Sequence, residues 1–509
     1  MKKKIISLVL ALTLVASAVF VLVACNKVLP SVSDEVIAAA EKMDMDALLA
    51  EAKKESGDFI AYGNTSRITT AMTNFIASDW GKALGLTDKN AVAVKKSDSE
   101  IYSLLREESR AKTSAGNASM VLIQDSASLD LERSAKDPLV KNYVSEEFKD
   151  KVDANNRLPL AHQFINKLFM YNVADKENTA QFNNVWELTK AEYKGQIFFK
   201  NPKDEQVNMN FLIMLTNGEW SGKLETAYKA LNGKEADDVG AGKTYENYGY
   251  KWIAEFIANC NFSITSDTTI ASTLSKESNK GKMGLFVLSK LRDASVYGDN
   301  LQVSAWDKDG ANNFVEIDPF AGFMYSIYAQ LAAKGPRPYT AMLFINYLMT
   351  AEGFKPWESL GGYSANKDVP VYEGSLTKPV ETTDERSKDG FLYLDNNKKE
   401  MILTNSEKVK IDGKDVTIKT YTYLDGGATI TDKDKTTGKT TQIKVDGKDK
   451  DLSIKNKTQK IEGGVSDQPL SFWTKCLVIE DGAYILSVKA EVQDWINTKL
   501  ASNNTTVKK

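Results

Sequence analysis

Side chains able to do covalent or acid–base chemistry are sparse in this chain. It has one histidine, His162, and three cysteines, Cys25, Cys260 and Cys476. A zinc site of the Cys/His type is therefore nearly excluded, as is any catalytic site needing a second histidine. Glu107 and Glu108 are neighbours on one helical stretch and point about 100° apart, which makes no cleft dyad. VGAGKT (239–244) ends like a phosphate loop, but the full pattern needs glycine at 237, where the chain has Asp237. SLGGYS (359–364) is not a Gly-x-Ser-x-Gly elbow, and GDFIAYG (57–63) lacks the third glycine of a dinucleotide fingerprint. What remains is binding chemistry. Asn64, Thr65, Ser66 and Arg67 follow an apolar run and precede a helical stretch beginning near Ile68. Backbone N–H groups and hydroxyls at a helix start suit an anion or carboxylate, and Arg67 can add a charge-assisted fork. The same four residues also fit a plain Ser/Thr cap with Arg67 in solvent.

Elements to hold such residues are readable from periodicity. DFIAYG (58–63), AVAVKK (91–96), ASMVLIQD (118–125), KLFMYN (167–172) and GQIFFKNP (195–202) are strand candidates. Between them lie amphipathic helical stretches: TTAMTNFIASDWGKAL (69–84), SEIYSLLREESRAK (99–112) and MNFLIMLTN (209–217). Strand alternating with helix predicts α/β layers around mainly parallel sheets, which bind ligands at the carboxyl ends of the strands. Composition shifts after about Arg386. Residues 387–466 are rich in Lys, Asp, Thr and Gly, with turn signals at Asp412-Gly413, Gly426-Gly427, Gly438 and Asp446-Gly447. Asp-Gly between alternating residues predicts a small antiparallel β insertion, with a disordered loop as the alternative. FWTKCLVIEDGAYILSVKAEVQDWINTKLA (472–501) reads as a closing helical segment. Trp220, Tyr245, Tyr248, Tyr250 and Trp252 fit helix packing better than sugar stacking.

The chain has 509 residues, 42% hydrophobic and 26% charged, and a net charge of −3. That is ordinary for a globular protein of two or three domains. No basic patch with interleaved aromatics is present, so nucleic acid is not expected as a partner. The start of the chain differs from the rest. Lys2-Lys3-Lys4 precede an apolar run from Ile5 to Val23, which closes on Leu22-Val23-Ala24-Cys25. This resembles a bacterial lipoprotein signal with Leu22 to Cys25 as the lipobox. The resemblance implies cleavage before Cys25, diacylglycerol on its thiol, and a mature chain tethered outside the cytoplasmic membrane; the alternative is an uncut signal anchor. Cys260 and Cys476 then remain, as one disulfide or as two separate thiols.

Four stretches together resemble the extracellular solute-binding proteins of ABC importers, in the ferric-ion and phosphonate-like branch. AEAKKESGDFIAYGNTSR (50–67) matches a helix, a strand and a Tyr-x-x-x-Ser loop at Tyr62 to Ser66. ADKENTAQFNNVWELTKAEYKGQIFFKNP (174–202) resembles the opening of the second domain, and NYGYKWIAEFIANCNF (247–262) a helix ending in Ile257-Ala258-Asn259. The most specific is KGPRPYTAMLFINYLMTAEGFKPWESLGGYSANKDVP (334–370), with its proline-bounded loop, hydrophobic helix and Gly-Tyr-Ser end. The likeness covers about 45–371 and the closing helix, not 387–466.

The resemblance implies a two-lobed, class II periplasmic-binding-protein-like α/β fold that closes on its ligand by a hinge. The expected organisation is a signal peptide at 1–24 and a lipidated tether at 25–45. Lobe 1 is expected at 46–173 plus about 303–386, lobe 2 at 174–302, the β insertion at 387–466, and at 467–509 a C-terminal helical segment packing on the lobes. By loop position the resemblance adds Gln124, Asp125 and Ser126 in the first lobe, which also read as an Asp-Ser turn and cap. In the second lobe it adds Glu205, Gln206 and Asn208 before a helix starting near Met209, then Ser266 and Asp267. Tyr171 and Asn172, ending the first crossing strand, become hinge candidates. Ferric-binding members carry paired tyrosines just after the strand that here reads KMGLFVL (282–288); this chain has Val287-Leu288-Ser289-Lys290. Direct Fe³⁺ binding is therefore disfavoured, no metal or cofactor is expected, and Ser289 stands as a ligand candidate. The expected role is a lipid-anchored, extracytoplasmic, monomeric protein that captures a small polar or anionic solute for an ABC permease, and not an enzyme. The alternatives are a surface adhesion or sensor protein reusing the fold, or a lipid-anchored enzyme.

Overall fold

The computed structural model describes residues 32–503 except 112, 173–181, 294–300, 308–309, 315, 371–376, 396, 412–413, 426–428, 434–441, 446–447, 452–453 and 461–469. The leader, Cys25 and the start of the tether lie outside the described residues. No described helix is long and apolar enough to cross a membrane.

The main strands are β1 (Phe59–Gly63), β2 (Ala91–Lys95), β3 (Met120–Ile123), β4 (Ala161–Asn172), β5 (Ile197–Phe199), β6 (Cys260–Asn261), β7 (Met283–Val287), β8 (Gly322–Ala332) and β9 (Val478–Ile479). They belong to a 12-stranded sheet whose path runs β2-β1-β3-β8-β4-β7-β5-β6. At one end β1 is parallel to β2 and β3; at the other β5 is parallel to β6 and β7. The long antiparallel pair β4 and β8 joins the two ends. This is the two-lobed α/β architecture, and the inner strands of its parallel halves, β3, β5 and β7, are buried throughout, as helices covering both faces require.

The helices that matter for the groove are α1 (Arg67–Ala77), α2 (Asp98–Ser109), α3 (Ser126–Arg133), α4 (Gln206–Met214), α5 (Tyr248–Asn259), α6 (Asp267–Leu274), α7 (Pro338–Leu348) and α8 (Gly482–Ala501). In α1, Ile68, Ala71, Met72 and Phe75 recur at helical spacing and are all buried. The stretch expected as one helix over 69–84 breaks at Ser78, whose hydroxyl instead caps a second helix by accepting from Gly81 N at 3.2 Å. A closed capping box starts α2: Ser97 and Glu100 satisfy each other's backbone donors.

Each lobe has an aromatic centre. Phe59, Phe75 and Phe344 meet in lobe 1 with ring centroids 4.9–6.5 Å apart. In lobe 2, Trp252 stacks on Phe256 at 4.4 Å, and Phe211 on Phe323 of β8 at 4.5 Å. Trp220, Tyr248 and Trp252 are buried here and Tyr250 lies against Trp495, so these aromatics pack helices. Cys260 and Cys476 are not joined in a disulfide.

Strand β4 changes partner at Lys167, which pairs with Phe323 of β8 on one side and Val287 of β7 on the other. Beside it, a Cβ on Gly322 would stand 2.1 Å from the Lys167 carbonyl oxygen, so only glycine fits. Tyr171 and Asn172 lie four and five residues beyond the crossing. Both are buried in lobe 2, where Asn172 donates to Leu274 O and Lys276 O at 2.6 and 2.8 Å. The change of partner on β4 thus falls at Lys167, beside Gly322, four and five residues before the pair expected at the hinge.

The insertion forms an antiparallel sheet of seven strands, rather than a loop. Ile411 pairs with Lys414 and Val445 with Lys448, on either side of the two Asp-Gly signals. A further pair, Thr377–Pro379 with Thr458–Lys460, starts ahead of the composition change. Met401, Leu403, Tyr393, Tyr421 and Tyr423 make a small core of its own. After it the chain returns through a helix, Leu470–Cys476, then lays β9 parallel to β8 and closes with α8.

Candidate functional site

The carboxyl ends of β1, β3, β5 and β7 open on the groove between the lobes, where a cleft of about 420 Å³ forms. Asn64, Thr65, Ser66, Arg67 and Gln124 line it from lobe 1; Glu205, Ser266, Asp267 and Ser289 line it from lobe 2. These residues are far apart in sequence, and the parallel strand ends bring them together.

Two of the helices start at the cleft. Ser66 precedes α1 with its side chain making no cap hydrogen bond, so the hydroxyl is left facing the groove. Arg67 is anchored in the wall, where Nη1 donates to Trp357 O at 3.1 Å and to Ser359 Oγ at 3.4 Å. Neither a plain cap nor an arginine in solvent describes this corner. Across the groove Ser266 caps α6, accepting from Thr269 N at 3.1 Å. The positive end of a helix dipole thus faces the cleft from each lobe.

Glu205 precedes α4, which starts at Gln206, three residues earlier than expected. Its carboxylate makes no cap bond and takes two lysines instead: Lys167 at 2.7 Å, and Lys200. Lys167 is fully buried and donates also to Asn208 Oδ1 at 2.7 Å. Burial pulls its ammonium down, with Asp267 and Glu480 opposing. Lys200 is brought down to about 8 by burial and by Lys167. Asn208 is consumed in this network below the cleft, since its amide also donates to Lys200 O at 2.9 Å. Gln206 donates to Asn210 Oδ1 at 3.0 Å and faces an adjoining compartment, as does Asp125. Asp125 caps α3 by accepting from Ser128 N at 3.3 Å, while Ser126 turns to another hollow beside Glu480. Tyr171 and Asn172 do not reach the cleft.

Several groups in the cleft carry no prior signal in the sequence. Lys95, Lys200 and Lys290 line it, so with Arg67 four cations face two carboxylates, Glu205 and Asp267. On the floor, Gln163 of β4 is 1% exposed, yet neither its amide nitrogen nor its oxygen has a hydrogen-bond partner. Gly362 lies so close that a Cβ there would stand 2.9 Å from Gln163 Nε2. Tyr325 is the phenol of the cleft, and burial pushes its pKa far above the ordinary value. His162, next to Gln163, points away. It packs edge-on against Trp357 at 4.7 Å, and burial brings it down to about 3, so it is a neutral core side chain.

No protein-family model matches the sequence, and no curated protein matches it. Among solved structures, a Trichodesmium protein (IdiA, FutA) in complex with iron and citrate ligands shares 14% identity at a TM-score of 0.43, covering 62% of this chain and 88% of its own. Iron-bound HitA from Pseudomonas aeruginosa is similar at 14% identity and a TM-score of 0.42, over 62% and 89%. An ABC transporter protein from Clostridium perfringens follows at 11% and 0.40, over 62% and 88%. At such scores these likenesses carry no weight of their own; the two-lobed assignment rests on the strand order and the two crossing strands.

Proposed function

We propose that this chain is a lipid-anchored, extracytoplasmic solute-binding protein that captures a small anionic solute between its lobes and delivers it to an ABC permease. The observation that carries the reading is Gln163, a buried amide with both polar atoms unpaired on the floor of a cleft with surplus positive charge. Buried amides without partners are costly, and a ligand that supplies the partners removes the cost. Arg67, Lys290 and the starts of α1 and α6 supply what an oxyanion needs. The Leu22 to Cys25 motif supports the anchor. Ferric ion fits poorly: the cleft has a surplus of cations, Glu205 is bound to two lysines, and Tyr325 is held protonated.

A thermal-shift screen of the chain from Asn26 tests this against phosphates, phosphonates, small carboxylates, polyamines, sugars and Fe³⁺. A ligand at 100 times its Kd adds about 2.7 kcal/mol of stability. Stabilisation by one class of anion is the expected result. A shift with Fe³⁺ alone, or no shift with any compound, overturns the proposal.

A further inference from the structure

Past Asn64 and Gln124 the groove continues into a second compartment of about 750 Å³, which shares Asn64, Lys95, Gln124 and Glu205 with the first. Its sign is opposite. Six carboxylates, Asp98, Glu100, Asp125, Glu132, Asp204 and Glu205, face four cations, Lys95, Lys96, Arg106 and Lys203. Most of these acids are already engaged: Glu132 pairs with Arg106, Glu100 stands 3.7 Å from Lys96, and Glu205 holds its two lysines. Asp125 caps α3 and has Lys489 at 3.5 Å.

Asp98 differs. Its Oδ2 accepts from the backbone N–H groups of Gln124 and Asp125 at 3.0 and 2.9 Å, but its buried Oδ1 makes no hydrogen bond of good geometry among the described residues, and the Asn64 amide that faces the carboxylate is itself left unpaired. One helical turn along α2, Tyr102 is 5% exposed and its hydroxyl also has no partner. Both side chains line this compartment, and positions four apart share a helix face. An unpaired carboxylate oxygen and an unpaired phenol, walled in together, lack a group that donates several hydrogen bonds and carries positive charge. An ammonium is such a group, with three donors and no acceptor.

We infer that the solute is dipolar, with its oxyanion between Arg67 and Lys290 at the helix starts and a protonated amine at Asp98 and Tyr102. This rests on the solute-binding reading of the cleft and narrows its ligand to an acid that carries an amine on a spacer. Burial, with Asp125 beside it, pushes the Asp98 carboxyl up to about 7, and a cation seated there relieves both causes.

Calorimetric titration with ω-amino carboxylates and ω-aminoalkyl phosphates of increasing chain length tests this, each beside the acid lacking the amine and the amine lacking the acid. At one spacer length the dipolar compound is expected to bind at least tenfold tighter than either single-ended control. Tyr102→Phe removes a hydroxyl that has no partner in the fold, so folding is not at stake; it is expected to shrink the advantage of the dipolar compound severalfold, and Asp98→Asn to abolish it. Acids that bind as tightly as their amino counterparts at every length overturn the inference while leaving the anion-binding proposal intact. So does an advantage that survives both substitutions. Silence from every acid and every amino acid overturns both.

Discussion

A buried amide without partners costs about 1–3 kcal/mol, and Gln163 carries that cost at both of its polar atoms. Gln163→Leu separates ligand binding from a structural role. The melting temperature of the free protein should hold or rise, because the unpaired groups are gone, while affinity for the stabilising anion falls at least tenfold. A variant that loses stability and keeps affinity places Gln163 in the scaffold instead. Glu480 gives a pH dependence of known sign. Burial, then Asp125, pushes its carboxyl up to about 8; Asn210, Ser126 and Asp98 also face it, and Lys489 reaches Asp125. A carboxyl raised in the folded state stabilises fully below the ordinary carboxylate range and loses that contribution as pH rises through its folded value. Stability should therefore decline between about pH 5 and pH 8, and melting curves of Glu480→Gln should show a shallower decline; an unchanged slope refutes the assignment. Asn64 to Arg67 were legible because an apolar run ending in small polar residues before a helix marks a strand end. Gln163 was not. The strand expected at KLFMYN (167–172) begins six residues earlier, at Ala161, and only its pairing with β8, β7 and Gly362–Ser364, all distant in sequence, decides that Gln163 faces a cleft.

Local elements were easier to read than distant pairings. The pairing of Ile411 with Lys414 and of Val445 with Lys448 is what an Asp-Gly signal between alternating residues predicts. The start of α4 was misjudged by three residues because Glu205 lacks the Ser, Thr or Asp signature of a cap and its carboxylate serves Lys167 and Lys200. The contacts between β4 and β8 join residues about 160 apart and leave no local trace. The insertion's own cluster around Tyr393, Met401 and Tyr421 is separate from the core of the lobes. Replacing residues 377–460 by a short linker should thus leave a folded protein whose affinity for the stabilising anion stays within about twofold, as expected for sites with no shared partners. Loss of affinity with a folded remainder would make the insertion part of the binding machinery and favour a surface-contact role.

At the scale of the molecule, the proposed capture of a solute between the lobes would turn them about β4 and β8, and α8 lies against both lobes. It is fixed to lobe 2 by Trp495 on Tyr250 at 4.8 Å and by Tyr484 with Thr216 at 2.8 Å; just past its end, Asn503 donates to Ile257 O and Cys260 O at 2.6 and 3.0 Å. On lobe 1 it packs along α3, where Lys489 adds polar contacts to Ser128 Oγ at 3.2 Å and to Asp125 at 3.5 Å. Polar contacts at a partly exposed seam exchange with water at little cost, whereas stacked aromatic rings do not. Rotation should then carry α8 with lobe 2 and slide it over α3, making Lys489 the contact that changes. Joining Ser128→Cys to Lys489→Cys with a short bis-maleimide, in a Cys476→Ser background, should hold the lobes at one angle. Stopped-flow binding of the stabilising anion should slow at least tenfold in the linked protein and recover in the same variant left unlinked. Equal rates would mean that α8 moves with lobe 1, or that the solute enters without rotation of the lobes.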